Sequence, residues 1–402
     1  MRILTFTTLY PNAVSPQFGI FVETRLRKLV GSGRLSARVM APCPWFPFTN
    51  KRFGRYATFA QIPRFEERHG LAIDHPRYPL VPKIGMTIAP FMLFAATLPI
   101  LRRQIACGQD FDAIDAHYMY PDGVAAVMLG LALDRPVAVT CRGSDINAIS
   151  KYHFPSKQIV WAAKHAAAVV TVSESLRARL SAMGIQMAHV RVLRNGVDLD
   201  LFHPVERQTA RSRLRLAGRV LVSVGNLVRL KGHDLIIKAL ADLPSTTLLV
   251  VGRGPERSAL EGLARKVGVA DRVRFLESLP QEQLRDIYSA ADALVLASST
   301  EGWPNVLLES MACGTPVIAS DIPGAREIVK AAEVGQLVRE RTPKSIVQSV
   351  EMLLANTRDG SAIRAYAERF SWDHTTIGQI RMFDEIVREF RNADDLAAHQ
   401  SK

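Results

Sequence analysis

The pattern that most constrains the fold is an alternation of apolar, β-branched runs of strand length with longer amphipathic stretches. It occurs twice along the 402 residues. In the first half it predicts strands at 2–7, 37–41, 113–117, 137–141, 169–172 and 190–193, with helices at 21–30, 123–133 and 174–183. In the second half it predicts strands at 220–225, 247–251, 273–276, 293–297 and 317–319, with helices at 235–243 and 256–267. Buried strands joined by helices form parallel sheets, so two doubly wound α/β domains are expected.

The boundary between the two domains is predicted after the turn at 194–198, where a polar, basic stretch near Pro204 separates the two patterned halves. A chain of this length exceeds what one hydrophobic core usually supports. We therefore assign residues 1–198 to the first domain and 199–379 to the second.

The formal charge of +13 is concentrated near the N-terminus, where residues 1–103 carry 15 Lys and Arg against 4 Asp and Glu. Such a surface attracts a polyanionic partner, such as lipid headgroups, a diphosphate-linked acceptor or nucleic acid, although it is also compatible with a solvated basic face. No helix-turn-helix, RNA-recognition or zinc-finger pattern supports nucleic acid. The four cysteines are widely spaced, and the N-terminal residues suit a first strand better than a signal peptide, so a cytoplasmic location is expected.

The uncharged segment from Ile84 to Leu101, followed by Arg102 and Arg103, approaches the length of a membrane-spanning helix. It contains Pro90 and Pro99, and a single span is out of place in an α/β pattern. A buried helix is the favoured prediction. A helix lying on the bilayer surface is the main alternative.

The strongest local motif is the stretch from Ser298 to Val317, in which a loop follows a buried strand and leads into a helix near Pro304. Glu301 lies in this loop, at the edge of the sheet where open α/β folds bind ligands. The N–H groups of the first helical turn, those of Asn305, Val306 and Leu307, are predicted to receive a phosphate. Glu309, farther along the helix, is positioned to accept hydrogen bonds from ribose hydroxyls. The alternative is that both glutamates only stabilise the N-terminal end of the helix through its dipole.

Two cations follow the first strand of the second half, because a Gly/Asn turn at 225–226 leads to Arg229 and Lys231. Cations at this position can neutralise the charge that develops on a leaving diphosphate, a role that a metal ion otherwise fills. Solvated surface residues are the alternative. Gly252 follows the next strand in a Gly-Arg-Gly-Pro turn that lacks the third glycine of a dinucleotide motif, so it either lets the chain approach a base or only turns it.

Together these residues resemble family-4 glycosyltransferases, which are retaining enzymes with the GT-B fold. The resemblance implies two Rossmann-like domains facing across a cleft and a C-terminal helix, about 380–402, that crosses back to the first domain. It implies that Glu301 contacts the donor sugar, Glu309 the ribose, and Arg229 with Lys231 the diphosphate. The segment containing Gly196 resembles the entry to the family's donor-binding domain, and Ser371-Trp372 resembles the start of its last helices.

In the first domain, the loop containing Gly19 resembles the family's glycine loop near the diphosphate. Two further stretches, 117–123 and 140–145, follow predicted strands and include His117, Arg142 and Asp145 as candidate catalytic residues. Many relatives have histidine where Arg142 stands, so a histidine role there does not transfer. An arginine can still bind sugar hydroxyls or phosphate. A structural role for His117 is equally open.

The features and the resemblance together predict transfer of a sugar from a nucleotide-diphosphate sugar to a hydroxyl acceptor, and the resemblance implies retention at the anomeric carbon. The acceptor is a sugar or lipid-linked molecule, and the resemblance favours cell-envelope or exopolysaccharide synthesis. No Asp-x-Asp metal motif occurs in a suitable loop, so neither a metal nor another cofactor is expected. Peripheral contact with an anionic membrane is possible through the basic first domain. The alternatives are a GT-B nucleotide-sugar epimerase and a nonenzymatic nucleotide-sugar-binding protein.

Overall fold

A computed structural model describes residues 1–80, 85–355 and 358–400. The chain forms two compact units. The first comprises Met1–Arg194 and the chain from Asp373 onward, and the second comprises Asn195–Trp372. The division falls within the predicted turn at 194–198, and the return to the first unit begins before the predicted position near 380.

The first unit contains an eight-stranded sheet with helices on it. The strands of this unit, which include a separate pair formed by β3 and β6, are β1 (Arg2–Phe6), β2 (Ser36–Met40), β3 (Cys43–Pro44), β4 (Phe65–Arg68), β5 (Leu71–Asp74), β6 (Arg77–Tyr78), β7 (Ala113–His117), β8 (Val137–Cys141), β9 (Ala168–Thr171) and β10 (Val190–Val192). Its helices are α1 (Ile20–Gly31), α2 (Arg55–Gln61), α3 (Gly85–Ala106), α4 (Val124–Leu133), α5 (Ser144–Asn147), α6 (His153–His165) and α7 (Glu174–Ala182). The sheet order is β10-β9-β8-β7-β1-β2-β5-β4, parallel except at the β4–β5 pair, and β3 pairs with β6 separately.

The second unit contains a six-stranded parallel sheet of order β13-β12-β11-β14-β15-β16. Its strands are β11 (Arg219–Val224), β12 (Thr246–Val251), β13 (Val273–Leu276), β14 (Ala293–Leu296), β15 (Val317–Ser320) and β16 (Gly335–Val338). Its helices are α8 (Arg207–Leu214), α9 (His233–Ala239), α10 (Arg257–Lys266), α11 (Gln281–Ala290), α12 (Asn305–Ala312), α13 (Pro323–Arg326), α14 (Pro343–Leu354) and α15 (Gly360–Glu368). The doubly wound α/β prediction is confirmed for both halves.

The last helix, α16 (Trp372–Gln400), begins at the end of the second unit and packs on the first. Four of its apolar side chains recur at helical spacing and are buried in the same cluster as residues of β1 and β8: Met382, Phe383, Ile386 and Val387. Each buried side chain of this size contributes about 2 kcal/mol of hydrophobic stabilisation. The C-terminal helix is therefore part of the first domain's core.

Helix α3 covers most of the uncharged segment noted in the sequence, whose first residue, Ile84, lies outside the described residues. Pro90, Leu93, Thr97 and Leu101 form its buried face, but only 22% of its most apolar stretch is buried. Among the described residues, it is the one helix long and apolar enough to cross a membrane by length and composition. The prediction of a buried helix is therefore wrong. The sequence could not reveal this, because an apolar helix that packs along one narrow face has the same composition as a fully buried one.

Candidate functional site

The second unit has its ligand-binding edge where the strand order reverses. The chain runs from β11 outward through β12 to β13, then returns to the other side of β11 and continues through β14 to β16. Ligands of open α/β sheets bind at the carboxyl ends of the strands beside such a reversal. The loops that follow β11 and β14 carry Lys231 and Glu301, so the topology places these two predicted residues on either side of the reversal.

Lys231 and Glu301 are in direct contact. The Lys231 Nζ lies 2.5 Å from the Glu301 Oε1, which also accepts a hydrogen bond of 2.7 Å from the Ser298 hydroxyl. Both charged side chains are mostly buried, whereas Ser298 is completely buried at the end of the β14 segment. An ammonium group has three protons to donate, so Lys231 can hold Glu301 and still donate to a bound anion. The pair is thus a fixed cation beside a fixed acceptor.

Glu309 lies on α12 with its side chain mostly surrounded by protein. Its Oε2 accepts a hydrogen bond of 2.8 Å from the Tyr288 hydroxyl, which α11 supplies. Burial raises the pKa of Glu309 to about 7, although the Tyr288 bond opposes this shift. The free protein therefore holds a carboxyl that ionises near neutrality, and added hydrogen-bond donors would favour its ionised form.

The first turn of α12 offers fewer free N–H groups than its sequence predicts. The Asn305 N–H donates to the Trp303 carbonyl and the Leu307 N–H to the Pro304 carbonyl, both at 3.1 Å. Within the described ranges, no protein acceptor is bonded to the Val306 N–H. Phosphate binding by all three groups stays a prediction, and Val306 is the one whose N–H is available without rearrangement.

The loop before α12 also holds the start of the second unit. Trp303 donates from its Nε1 to the Asn195 carbonyl at 3.0 Å, and the Asn195 amide donates to the Asn305 side chain at 3.2 Å. Gly196 packs so tightly that an added Cβ would lie 2.6 Å from the Trp372 nitrogen. The predicted role of Gly196 in donor binding stays a prediction, and its position explains the glycine by backbone packing alone.

Arg229 is exposed, unlike the mostly buried pair Lys231 and Glu301. It lines a cavity of about 730 Å³ together with His233, Glu256, Ser299 and other residues of the second unit, but Glu301 does not line that cavity. Among the described residues, no hydrogen bond or ion pair joins Arg229 to either predicted glutamate. The joint grip of Arg229 and Lys231 on one diphosphate stays a prediction.

Gly252 lies where the loops after β11 and β12 touch. It has a φ of 146°, and a Cβ added to it would lie 2.0 Å from the Gly225 carbonyl oxygen. No side chain larger than hydrogen fits this approach without moving the loop. The sequence left two roles open for Gly252. The turn and the close packing of the two loops are sufficient to explain why a glycine is needed here. Contact of Gly252 with a base stays a prediction.

The first unit has its own strand reversal, between β1 and β7. Asp122, just after β7, is fully buried and accepts hydrogen bonds from the Thr8 N–H at 2.6 Å and from the Thr7 and Thr8 hydroxyls. Burial raises its pKa to about 7. Gly19 caps α1 with a φ of 70°, and a Cβ there would lie 2.4 Å from the Leu9 carbonyl oxygen. The loop containing Gly19 thus rests against the loop that Asp122 fixes.

His117 is completely buried at the end of β7. Its Nδ1 lies 2.8 Å from an Arg142 guanidinium nitrogen, and its Nε2 lies 3.3 Å from the Asp115 Oδ2. Burial lowers the pKa of His117 to about 4, so the ring is neutral at pH 7. Because guanidinium only donates, Nδ1 is the acceptor and Nε2 carries the proton toward Asp115. This arrangement makes His117 a support for Arg142. A direct catalytic role for either residue stays a prediction.

Asp145 is also fully buried, and its carboxylate accepts hydrogen bonds from the backbone N–H groups of Met119, Arg142, Gly143 and Ile146. It therefore ties the loop after β7 to the loop after β8. Burial raises its pKa despite these bonds. All its contacts organise the backbone around Arg142, while direct participation of Asp145 in the reaction stays a prediction.

Sequence reasoning missed two supporting residues. Tyr288 was not identified because it is more than twenty positions from Glu309 and belongs to a different helix. Asp122 lies in the predicted stretch 117–123 but is not among the candidates named from it, and its partners Thr7 and Thr8 are more than a hundred positions away in the sequence. A signal for Asp122 existed, since it is an acidic residue in the loop that follows the buried strand β7 at the ligand edge.

Comparison with known proteins agrees with this architecture. Residues 205–370 match the family model described as glycosyl transferases group 1, and residues 55–201 match glycosyltransferase family 4. A putative teichuronic acid biosynthesis glycosyltransferase, TuaC of Bacillus subtilis, is 30% identical over 82% of this chain and 83% of its own length. The D-inositol 3-phosphate glycosyltransferase of Acidothermus cellulolyticus is 34% identical, over 52% of this chain and 51% of that protein. The chain thus spans about half the length of that relative.

Solved structures show the same fold at lower identity. Sucrose-phosphate synthase from Thermosynechococcus elongatus aligns with a TM-score of 0.79 and 21% identity, covering 96% of this chain and 99% of that one. Anabaena HepE, in complex with UDP and glucose, aligns with a TM-score of 0.74 and 20% identity, covering 96% and 100%. Two doubly wound domains, a C-terminal helix packed on the first and the matches in both halves lead to one conclusion: this chain belongs to the family-4 glycosyltransferases and has the GT-B fold.

Proposed function

We propose that this protein transfers a sugar from a nucleotide-diphosphate sugar to a hydroxyl acceptor, with retention at the anomeric carbon. The observation that carries the proposal is the contact between Lys231 and Glu301 at the strand reversal of the second domain. It places a cation for a diphosphate beside a carboxylate for sugar hydroxyls, at the edge where such sheets bind ligands. The complexes of HepE with UDP and with UDP-glucose support a donor of this class.

Each part of the donor has a proposed contact. Glu309 accepts hydrogen bonds from ribose hydroxyls, which replace the hydration that its buried carboxyl lacks. Lys231 and the Val306 N–H hold the diphosphate, and Arg229 adds positive charge from the same loop as Lys231. Glu301, oriented by Ser298, accepts from the donor sugar. Because contact with Glu301 fixes the position of Lys231, the cation is already in place when charge develops on the leaving diphosphate.

The proposed reaction breaks the bond between the anomeric carbon and the diphosphate oxygen and forms the bond to the acceptor oxygen on the same face. The proton of the acceptor hydroxyl passes to the departing diphosphate. No carboxylate nucleophile and no second opposed carboxylate is then needed, unlike in hydrolases. Arg142, with its orientation fixed by His117 and by stacking over Phe21 at 5.3 Å, is proposed to bind a sugar hydroxyl or a phosphate.

Neither a metal nor another cofactor is required in this proposal, because Lys231 supplies the positive charge at the diphosphate. Activity is expected to persist in excess EDTA, measured as nucleoside diphosphate released per unit time. An absolute requirement for a divalent cation would refute this part of the proposal and leave the sugar transfer itself intact.

The acceptor is proposed to be a sugar or lipid-linked intermediate of a cell-envelope or extracellular polysaccharide. TuaC carries the name of a teichuronic acid biosynthesis enzyme, and WaaG is described as involved in lipopolysaccharide biosynthesis. Synthesis of such polymers takes place at a membrane. Peripheral contact of the basic first domain with the inner face of the cytoplasmic membrane is therefore part of the proposal.

The test of this function is incubation of the full-length protein with UDP-, GDP- and ADP-sugars, with water or candidate hydroxyl acceptors. We expect one donor to yield free nucleoside diphosphate and a product whose anomeric configuration, read by NMR, matches the donor. Glu301→Ala should abolish this release, whereas Met352→Ala, an exposed position in the same domain, should not. Unchanged release by Glu301→Ala would overturn the assigned donor site. A donor converted to its epimer would indicate the epimerase, and binding without turnover the nonenzymatic alternative.

A further inference from the structure

Exposed apolar side chains are unevenly distributed between the two domains. Within the described residues, all the exposed large hydrophobic side chains except Leu230 and Met352 belong to the first domain. Two segments contribute side chains that are adjacent in space, the helix α3 and the start of α6. An exposed apolar surface that is concentrated on one domain marks an interaction site.

Helix α3 has an apolar outer face that no described part of its domain covers. Leu93 and Leu101 are fully buried on its inner face, whereas Phe91, Ala95 and Pro99 are exposed at helical spacing on its outer face. Arg102 continues the outer stripe and Arg103 follows it, and the helix contains no acidic residue. The fully buried inner face holds α3 against the domain, so the helix cannot insert across a bilayer without opening the core.

The start of α6 extends this surface. Tyr152 is 55% exposed and Phe154 62% exposed, and the exposed Lys151 and Lys157 flank them in the sequence. The neighbouring Gln158 amide donates to the Thr87 carbonyl of α3 at 3.3 Å. Phe154 and Gln158 are four positions apart on one helical face, so Phe154 lies beside the first turn of α3. Met86 of that turn is also exposed, and its carbonyl accepts a hydrogen bond from Tyr120.

We define the α3–α6 surface by Met86, Phe91, Lys151, Tyr152, Phe154 and Lys157. Its chemistry is apolar and aromatic side chains with cations between and beside them, and neither segment contributes an acidic residue. This combination matches the interface of an anionic bilayer, where apolar side chains enter the acyl boundary and Lys and Arg meet the headgroups. A protein partner would instead need its own acidic, shape-matched face, which nothing in this surface specifies.

The α3–α6 surface lies at the ligand edge of the first domain. The end of α3 leads into the start of β7, so the start of α3 lies at the opposite edge, where the strands end. The start of α6 follows β8 through the loop of Arg142 and Asp145, at the same edge. We propose that the α3–α6 surface binds anionic lipid headgroups and thereby holds this ligand edge of the first domain against the membrane, where a lipid-linked acceptor is presented.

The link to a lipid-borne acceptor rests on the proposed function, whereas lipid binding itself does not. The test is co-sedimentation of the full-length protein with vesicles of phosphatidylcholine alone or mixed with phosphatidylglycerol, at low and high salt. We expect binding to the mixed vesicles that weakens with salt. The double variant Phe91→Asp/Phe154→Asp should bind roughly tenfold more weakly, because both its apolar anchors are replaced by charges that anionic headgroups repel.

The matched control is Met352→Asp, which places the same charge at an equally exposed apolar position of the other domain and should bind as the wild type does. A second variant, Lys151→Glu/Lys157→Glu, changes only exposed side chains and should lose the preference for phosphatidylglycerol. Absence of wild-type binding at low salt, or wild-type binding by both double variants, would overturn the proposal. Nucleotide-sugar binding in solution, measured on the same variants, should be unchanged, so that a failed donor site is distinguished from a failed lipid surface.

Discussion

Replacing Glu309 by glutamine should remove most of the pH dependence with which this protein binds a nucleoside diphosphate. In the free protein, burial raises the pKa of the Glu309 carboxyl to about 7. The proposed ribose contact adds two hydroxyl donors, which favour the ionised carboxylate. Binding near neutral pH should therefore release a proton from Glu309.

The size of the effect follows from the two pKa values. If ribose binding returns the carboxyl to its ordinary value of 4.5, affinity falls by about a factor of ten for each pH unit below 7. Between about pH 8 and about pH 6, the dissociation constant should rise roughly tenfold. The glutamine variant keeps an acceptor oxygen and cannot ionise, so it should show only the dependence that arises from the nucleotide's own phosphate.

Isothermal titration calorimetry provides the assay, because repeating the titration in buffers of different ionisation enthalpy counts the protons released. The difference between wild type and Glu309→Gln isolates Glu309 from the phosphate. Equal pH slopes and equal proton counts for the two proteins would refute the assignment of Glu309 to the ribose. A flat wild-type profile would refute the protonated resting state.

Further changes test other contacts. Lys231→Ala should lower turnover by roughly a hundredfold while the Tm stays within a few degrees, because the cation acts at the leaving diphosphate; turnover and a thermal melt measure both. Gly252→Ala should destabilise the second domain by about 2 kcal/mol or more, since its Cβ would lie 2.0 Å from a carbonyl oxygen; urea unfolding checks this. Asp145→Ala should cost about 3 kcal/mol because buried N–H groups lose their acceptor, with Asp145→Asn milder in the same unfolding assay. Without ligand, the raised pKa of Glu309 should make the free energy of unfolding depend on pH. Its contribution should be fully present below pH 4.5 and should fall by up to about 3 kcal/mol as pH rises through 7, because the unfolded chain loses the proton first. Urea unfolding at several pH values should show this fall for the wild type and not for Glu309→Gln.

Central strands and the helices between them could be predicted because their periodicity is local. The strands β7, β8 and β13 have the predicted bounds, and the others shift by only a residue or two. Strands β3 to β6 and the edge strand β16 have no predicted counterpart. The sequence of β4, Phe-Glu-Glu-Arg, has no apolar run. As an edge strand, β4 pairs with one neighbour only and is largely exposed to solvent, so it needs few apolar side chains.

The candidate site was predictable where it depends on strand order. Lys231 and Glu301 follow strands that become neighbours, so position along each strand was enough to bring them together. The contacts of Tyr288 with Glu309 and of Asp122 with Thr8 depend on how helices and loops pack over long sequence distances. The exposure of α3 is of the same kind, since composition does not specify which face of an apolar helix its domain covers.

The central claim is that the second domain binds a nucleotide-sugar through Lys231, Glu301 and Glu309. The most direct measurement is calorimetric titration of the full-length protein with UDP-, GDP- and ADP-sugars, repeated on Glu301→Ala and Lys231→Ala. The account predicts saturable one-to-one binding of at least one donor, weakened by roughly tenfold or more in each variant. Failure of the wild type to bind any of these donors, or binding that both variants retain in full, would contradict it.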